Sequence, residues 1–212
     1  MPRATGRPPR SHSFPPAGGA RRAAARAFWA LSPWKLRLEP LPKEGVSILL
    51  GVPHTSNWDF VFMLAITWRA GIAVRFLGKD SLFRGPLAPV MRALGGIPVD
   101  RRDAFGIVSQ VVAAEQAGER FFLVVTPEGT RAKTEFWKSG FYRIAMDAGL
   151  PITLGFMDRT TMTAGLGPTF TPTGDVLADM TLIRAFYADK AGFTPSRRSE
   201  PRLRKEESRP PQ

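Results

Sequence analysis

Between residues 46 and 157 the chain alternates short apolar runs of strand length with longer stretches of helical periodicity. VSILLGV (46–52) precedes WDFVFMLAITWRA (58–70), and IAVRFL (72–77) precedes the proline-containing PLAPVMRALGG (86–96). IPV (97–99) leads to DAFGIVSQVVAAEQAG (103–118), FFLVVT (121–126) to SGFYRIAMDAG (139–149), and PITLGFM (151–157) to a helix near 175–190. Parallel strands need a crossover between them, and a crossover of this length is a helix, so the alternation predicts an α/β fold. We expect a single domain with a largely parallel or mixed sheet flanked by helices. Residues 159–174, rich in Thr, Gly and Pro, predict a loop or a short edge strand.

The ends of the chain have a different composition. Residues 1–37 hold eight basic side chains and no acidic one, residues 190–212 hold seven basic and three acidic, and the body between them is neutral, so the whole net charge of +12 belongs to the termini. A neutral body excludes a built-in basic groove, and no nucleic-acid partner is expected. Residues 1–20 and 193–212 are too poor in large apolar groups to offset the entropy of ordering and read as disordered basic tails around a domain at 39–192. Residues 21–38 interleave Phe28, Trp29, Leu31, Trp34, Leu36 and Leu38 with Arg26, Lys35 and Arg37. This pattern suits a segment lying on an anionic lipid surface, and equally an arm that packs its tryptophans on the body. An Arg-rich, acid-poor start also fits a transit peptide, and that alternative stays open. The longest apolar run, residues 60–68, falls far short of the about 20 residues of a transmembrane helix, so any membrane contact is peripheral. Leu82, Phe83, Leu87, Val90 and Met91 form a second candidate apolar face for that contact.

With no cysteine and only two histidines, His12 and His54, the chain lacks a thiol nucleophile and a Cys- or His-rich metal set. Two polar clusters follow two of the strands directly: Pro53-His54-Thr55-Ser56-Asn57-Trp58-Asp59 after 46–52, and Pro127-Glu128-Gly129-Thr130-Arg131 after 121–126. The carboxyl ends of strands are where open α/β sheets bind ligands. A histidine before a helix with an aspartate in its first turn makes a pair in which the acid sets the imidazole tautomer. No G-x-S-x-G elbow accompanies it, which suits a base acting on a substrate hydroxyl. Two plainer readings compete: Ser56 to Asp59 fits a capping box, and residues 128–131 fit a surface turn.

His54-x4-Asp59, then Gly95-Gly96-Ile97-Pro98-Val99-Asp100-Arg101, then Pro127-Glu128-Gly129-Thr130-Arg131, then Leu150-Pro151-Ile152, resemble the ordered motif blocks of the glycerophospholipid acyltransferases, the family that includes 1-acylglycerol-3-phosphate acyltransferase. Lys138-Ser139-Gly140 resembles its bacterial members. Pro53 and Thr126 depart from residues common in the family, Asn and Phe. The resemblance implies transfer of a fatty acyl group from acyl-CoA or acyl carrier protein to a lysophospholipid hydroxyl, with no metal or tightly bound cofactor, at the cytoplasmic face of a membrane. It implies His54 as general base, Asp59 as its orienting partner, and Arg101 with Glu128, Gly129, Thr130 and Arg131 as the substrate-binding residues. A planar guanidinium and a close-approaching glycine suit a phosphate. Two alternatives remain: an acyltransferase for an acceptor without phosphate, and a non-enzymatic protein that binds membranes or nucleic acid through its tails.

Overall fold

The computed structural model describes residues 17–79, 83–99 and 104–206. The chain runs α1 (Gly19–Leu31), β1 (Lys35–Leu38), β2 (Val46–Val52), α2 (Trp58–Ala70), β3 (Val74–Lys79), α3 (Ala88–Ala93), β4 (Gly96–Val99), α4 (Ala104–Gln116), β5 (Phe121–Val125), α5 (Gly140–Ala148), β6 (Ile152–Asp158), β7 (Thr163–Phe170) and α6 (Val176–Tyr187). Single 3-10 turns follow at Pro195–Arg197 and Arg204–Glu206. The seven described strands form one mixed sheet in the order β1-β7-β6-β2-β5-β3-β4. From β6 to β4 every pair is parallel; β7 turns back antiparallel on β6, and β1 lies parallel to β7 at the edge. The chain is thus a single α/β domain, as its strand and helix alternation requires.

Strands buried on both faces lose the polar alternation of a solvent-facing sheet, which is why β2 and β5 read as continuous apolar runs. Ile48, Leu50, Phe121 and Leu123 point to one face, where Val111, Phe141, Ile144, Ile183 and Tyr187 of α4, α5 and α6 cover them. Leu49, Phe122 and Val124 point to the other, under Phe62 and Ile66 of α2, Phe28 of α1 and Met91 of α3. Three layers result, with the strand ends free at the rim.

Three expectations need correction. Residues 163–170 are neither loop nor edge but a strand of eight residues inside the sheet, shielded by β1. The domain starts before residue 39, since α1 and β1 belong to it: Trp29 Nε1 donates to the Ala65 carbonyl at 3.1 Å, and Phe28 and Trp34 pack on Phe62. It also continues past 192. Residues 193–206 pack on the body, where buried Leu203 bridges to Trp137 and Arg184 donates to the Pro201 carbonyl. Of the second apolar face, Phe83 is buried, Leu87 and Val90 are exposed, and Leu82 lies outside the described residues. No helix among the described residues is long and apolar enough to cross a membrane.

Candidate active site

β2 and β5 are hydrogen-bonded neighbours, Leu50 opposite Val125, so the loops leaving their carboxyl ends meet. In the first loop, Oδ2 of Asp59 accepts the N–H groups of Thr55 and Ser56 at 2.7 and 2.8 Å and stands 3.0 Å from Nδ1 of His54. The oxygen lies off the line of the ring N–H, so this contact is electrostatic rather than an aligned hydrogen bond. Asp59 therefore satisfies the turn at the start of α2 and faces the imidazole with the same atom. A carboxylate at Nδ1 selects the tautomer protonated there and leaves the Nε2 lone pair free on the opposite side of the ring. The His54 side chain keeps 24% of its exposure, enough for a substrate to reach it.

Residues 128–131, which the sequence groups as one binding loop, divide in the structure. Glu128 is 3% exposed and turns inward, its Oε1 accepting the backbone N–H of His54 at 2.9 Å. Its Oε2 is buried with no partner among the described residues. Burial raises the Glu128 pKa to about 7, against the opposing pull of the His54 N–H. Beneath it, fully buried Tyr187 donates to the Gly155 carbonyl at 2.9 Å, and burial together with the nearby Glu128 carboxyl pushes its phenol well above the ordinary range. Gly129 adopts φ +66°, a conformation glycine takes at little cost, and its N–H closes the turn on the Thr126 carbonyl at 3.0 Å. Thr130 and Arg131 stand outside, exposed, and Arg131 makes no hydrogen bond or ion pair among the described residues. Arg101 lies outside the described residues.

Sequence reasoning did not associate the segment after α6 with this edge. Thr194 N–H donates to Thr55 Oγ1 at 3.0 Å, and Gly192 packs against Pro53 and Thr55 so closely that a Cβ there would come 3.0 Å from the proline. Buried Asp158 at the end of β6 anchors the same segment by accepting the Ala191 N–H. Burial alone would raise the Asp158 pKa, but hydrogen bonds from Thr161, Ala191 and Thr160 outweigh it and hold the carboxylate below its usual value. Phe193 then stacks between Trp34 and Trp58 at 6.1 and 6.2 Å, under Arg159. The His54 turn is thus braced from below by Glu128 and from the side by residues 191–194. Among the described residues no group of three His, Cys, Asp or Glu side chains is placed to hold a metal ion.

A buried, mostly parallel sheet that presents polar loops at adjacent strand ends offers a candidate site on that rim. A family model described as Acyltransferase matches residues 36–153, more than half of the chain and the part that contains both loops, and the chain belongs to that family. It is an acyltransferase. A search of curated proteins finds no match to the chain.

Proposed function

We propose that the protein transfers a fatty acyl group from acyl-CoA or acyl carrier protein to the free hydroxyl of a lysophospholipid, with 1-acylglycerol-3-phosphate as acceptor. The reading is carried by one observation: a partly exposed histidine with a carboxylate 3.0 Å from Nδ1, set at neighbouring strand ends beside a loop whose arginine is unpaired among the described residues. Nε2 of His54 takes the proton of the acceptor hydroxyl while its oxygen attacks the thioester carbonyl. The tetrahedral intermediate collapses by breaking the carbon–sulfur bond, and the thiolate recovers the proton from the imidazolium. Asp59 steadies that imidazolium. Glu128 holds the His54 backbone in place and contributes negative charge beneath it when ionised. Arg131, with Arg101, binds the acceptor phosphate, for which a guanidinium fork is suited. The enzyme works attached peripherally to an anionic membrane surface.

Thiol release from acyl-CoA against a panel of lysolipids tests the reading. Lysophosphatidate should be the preferred acceptor, and Arg131→Ala should cost about 10- to 100-fold in kcat/KM with it and far less with monoacylglycerol, as expected for one charge-assisted contact. An equal loss on both acceptors would retire the phosphate assignment.

A further inference from the structure

Lys138 joins the 128–131 loop to an open cleft. Its N–H donates to the Pro127 carbonyl at 2.8 Å, and its stem crosses the loop so closely that a Cβ on Gly129 would lie 2.8 Å from Cε and 2.9 Å from Nζ. The same side chain lines a cleft of about 370 Å³ between α4 and the start of α5, together with Trp137, Ser139, Gly140, Arg143 and Asp147. Two cations therefore share this space, and neither forms an ion pair among the described residues. Arg143 precedes Asp147 by one helical turn, a spacing that favours pairing, yet the two make no ion pair. Trp137 is buried, and its indole N–H has no acceptor among the described residues.

The cleft thus sets two cationic side chains against one carboxylate, Asp147, and leaves room for a phosphate with its attached atoms. We propose that Lys138 is a phosphate-binding, specificity-determining residue, and that the cleft it shares with Arg143 receives a phosphate of one substrate. The assignment rests on the acyl-transfer reading for the identity of that substrate, because either the acceptor headgroup or the phosphate-bearing arm of the acyl donor supplies this chemistry.

Calorimetric titration of the full-length protein with sn-glycerol 3-phosphate and, separately, with coenzyme A tests the site without requiring turnover. Lys138→Met keeps an apolar stem over Gly129 and removes the charge; Lys138→Gln replaces it if the melting temperature of the methionine variant falls. One probe should bind about 10- to 100-fold more weakly to the variant, the loss expected for one charge-assisted contact, and which probe does so identifies the substrate. Lys133→Met, which removes the same charge from an exposed residue that does not line the cleft, should leave binding unchanged. The proposal is overturned if the wild-type protein binds neither probe, if Lys138→Met binds both as tightly as wild type, or if Lys133→Met weakens binding equally. Binding through Lys138 in a protein that releases no thiol with any lysolipid would leave the phosphate site standing and remove the acyl-transfer reading.

Discussion

Because Oδ2 of Asp59 serves the N–H groups of Thr55 and Ser56 as well as the His54 ring, a substitution there acts on two properties at once. Asp59→Asn keeps an acceptor for the turn and removes the charge that, on the proposed mechanism, steadies the imidazolium. Its melting temperature should stay near wild type while kcat falls, and His54→Ala should lower kcat by about 10²–10⁴ with the fold intact. A normal kcat in either variant, measured beside its melting curve, removes the pair from the mechanism. Glu128 permits a separate test. Its pKa is about 4.5 in an unfolded chain and about 7 in the folded one, so the folded state binds its proton more tightly. The resulting stabilisation is complete below pH 4.5 and is lost as the pH rises towards 7, by a few kcal/mol at most. Glu128→Gln keeps an acceptor for the His54 N–H and should flatten the fall of stability between these two values. A melting profile as steep as that of wild type would show that another group titrates there.

At the scale of elements, the parts legible in the sequence are those whose burial is two-sided or whose ends carry punctuation. β2 and α2 fall on residues 46–52 and 58–70 as their patterns predict, the first as an unbroken apolar run and the second ended by Gly71 at φ +73°. β7 escaped because its glycines look like loop residues. They are contact points: a Cβ on Gly165 would meet the Arg37 carbonyl at 1.7 Å, and one on Gly167 the Phe186 ring at 2.3 Å. Residues 193–206 escaped for another reason. Their charge and proline content resemble a tail, and only the fold reveals that Phe193 and Leu203 find apolar partners in Trp34 and Trp137. The same limit applies at the site. The spacing of His54 and Asp59 sets a turn histidine five residues before a carboxylate in the first turn of α2, and so it suggests the pair. Whether Glu128 faces a substrate or the core depends on how the turn at Gly129 runs, and a linear pattern does not carry that.

For the molecule as a whole, the neutral body with its basic termini would, on the proposed peripheral reading, separate two contributions to membrane attachment. Leu31 at 87% exposure, Trp58 at 52%, Leu87 and Val90 are apolar side chains held outward on α1, on α2 and at the start of α3, while Phe28, Trp29 and Trp34 of the same basic and aromatic segment are spent on packing against Phe62. The charge needed for attraction to anionic lipid comes instead from the basic side chains, each worth about 1 kcal/mol near such a surface and screened by salt. Flotation with anionic vesicles should therefore recover the protein strongly at low salt, recovery should fall as salt rises, and neutral vesicles should recover much less. Removing residues 1–16, which carry three arginines, should weaken the salt-sensitive part alone. Trp58→Ala should weaken what remains at high salt, because it removes apolar contact and no charge. Equal recovery with both vesicle types at all salt concentrations would leave the basic termini without a role at the membrane, and no recovery with either would remove the peripheral reading altogether.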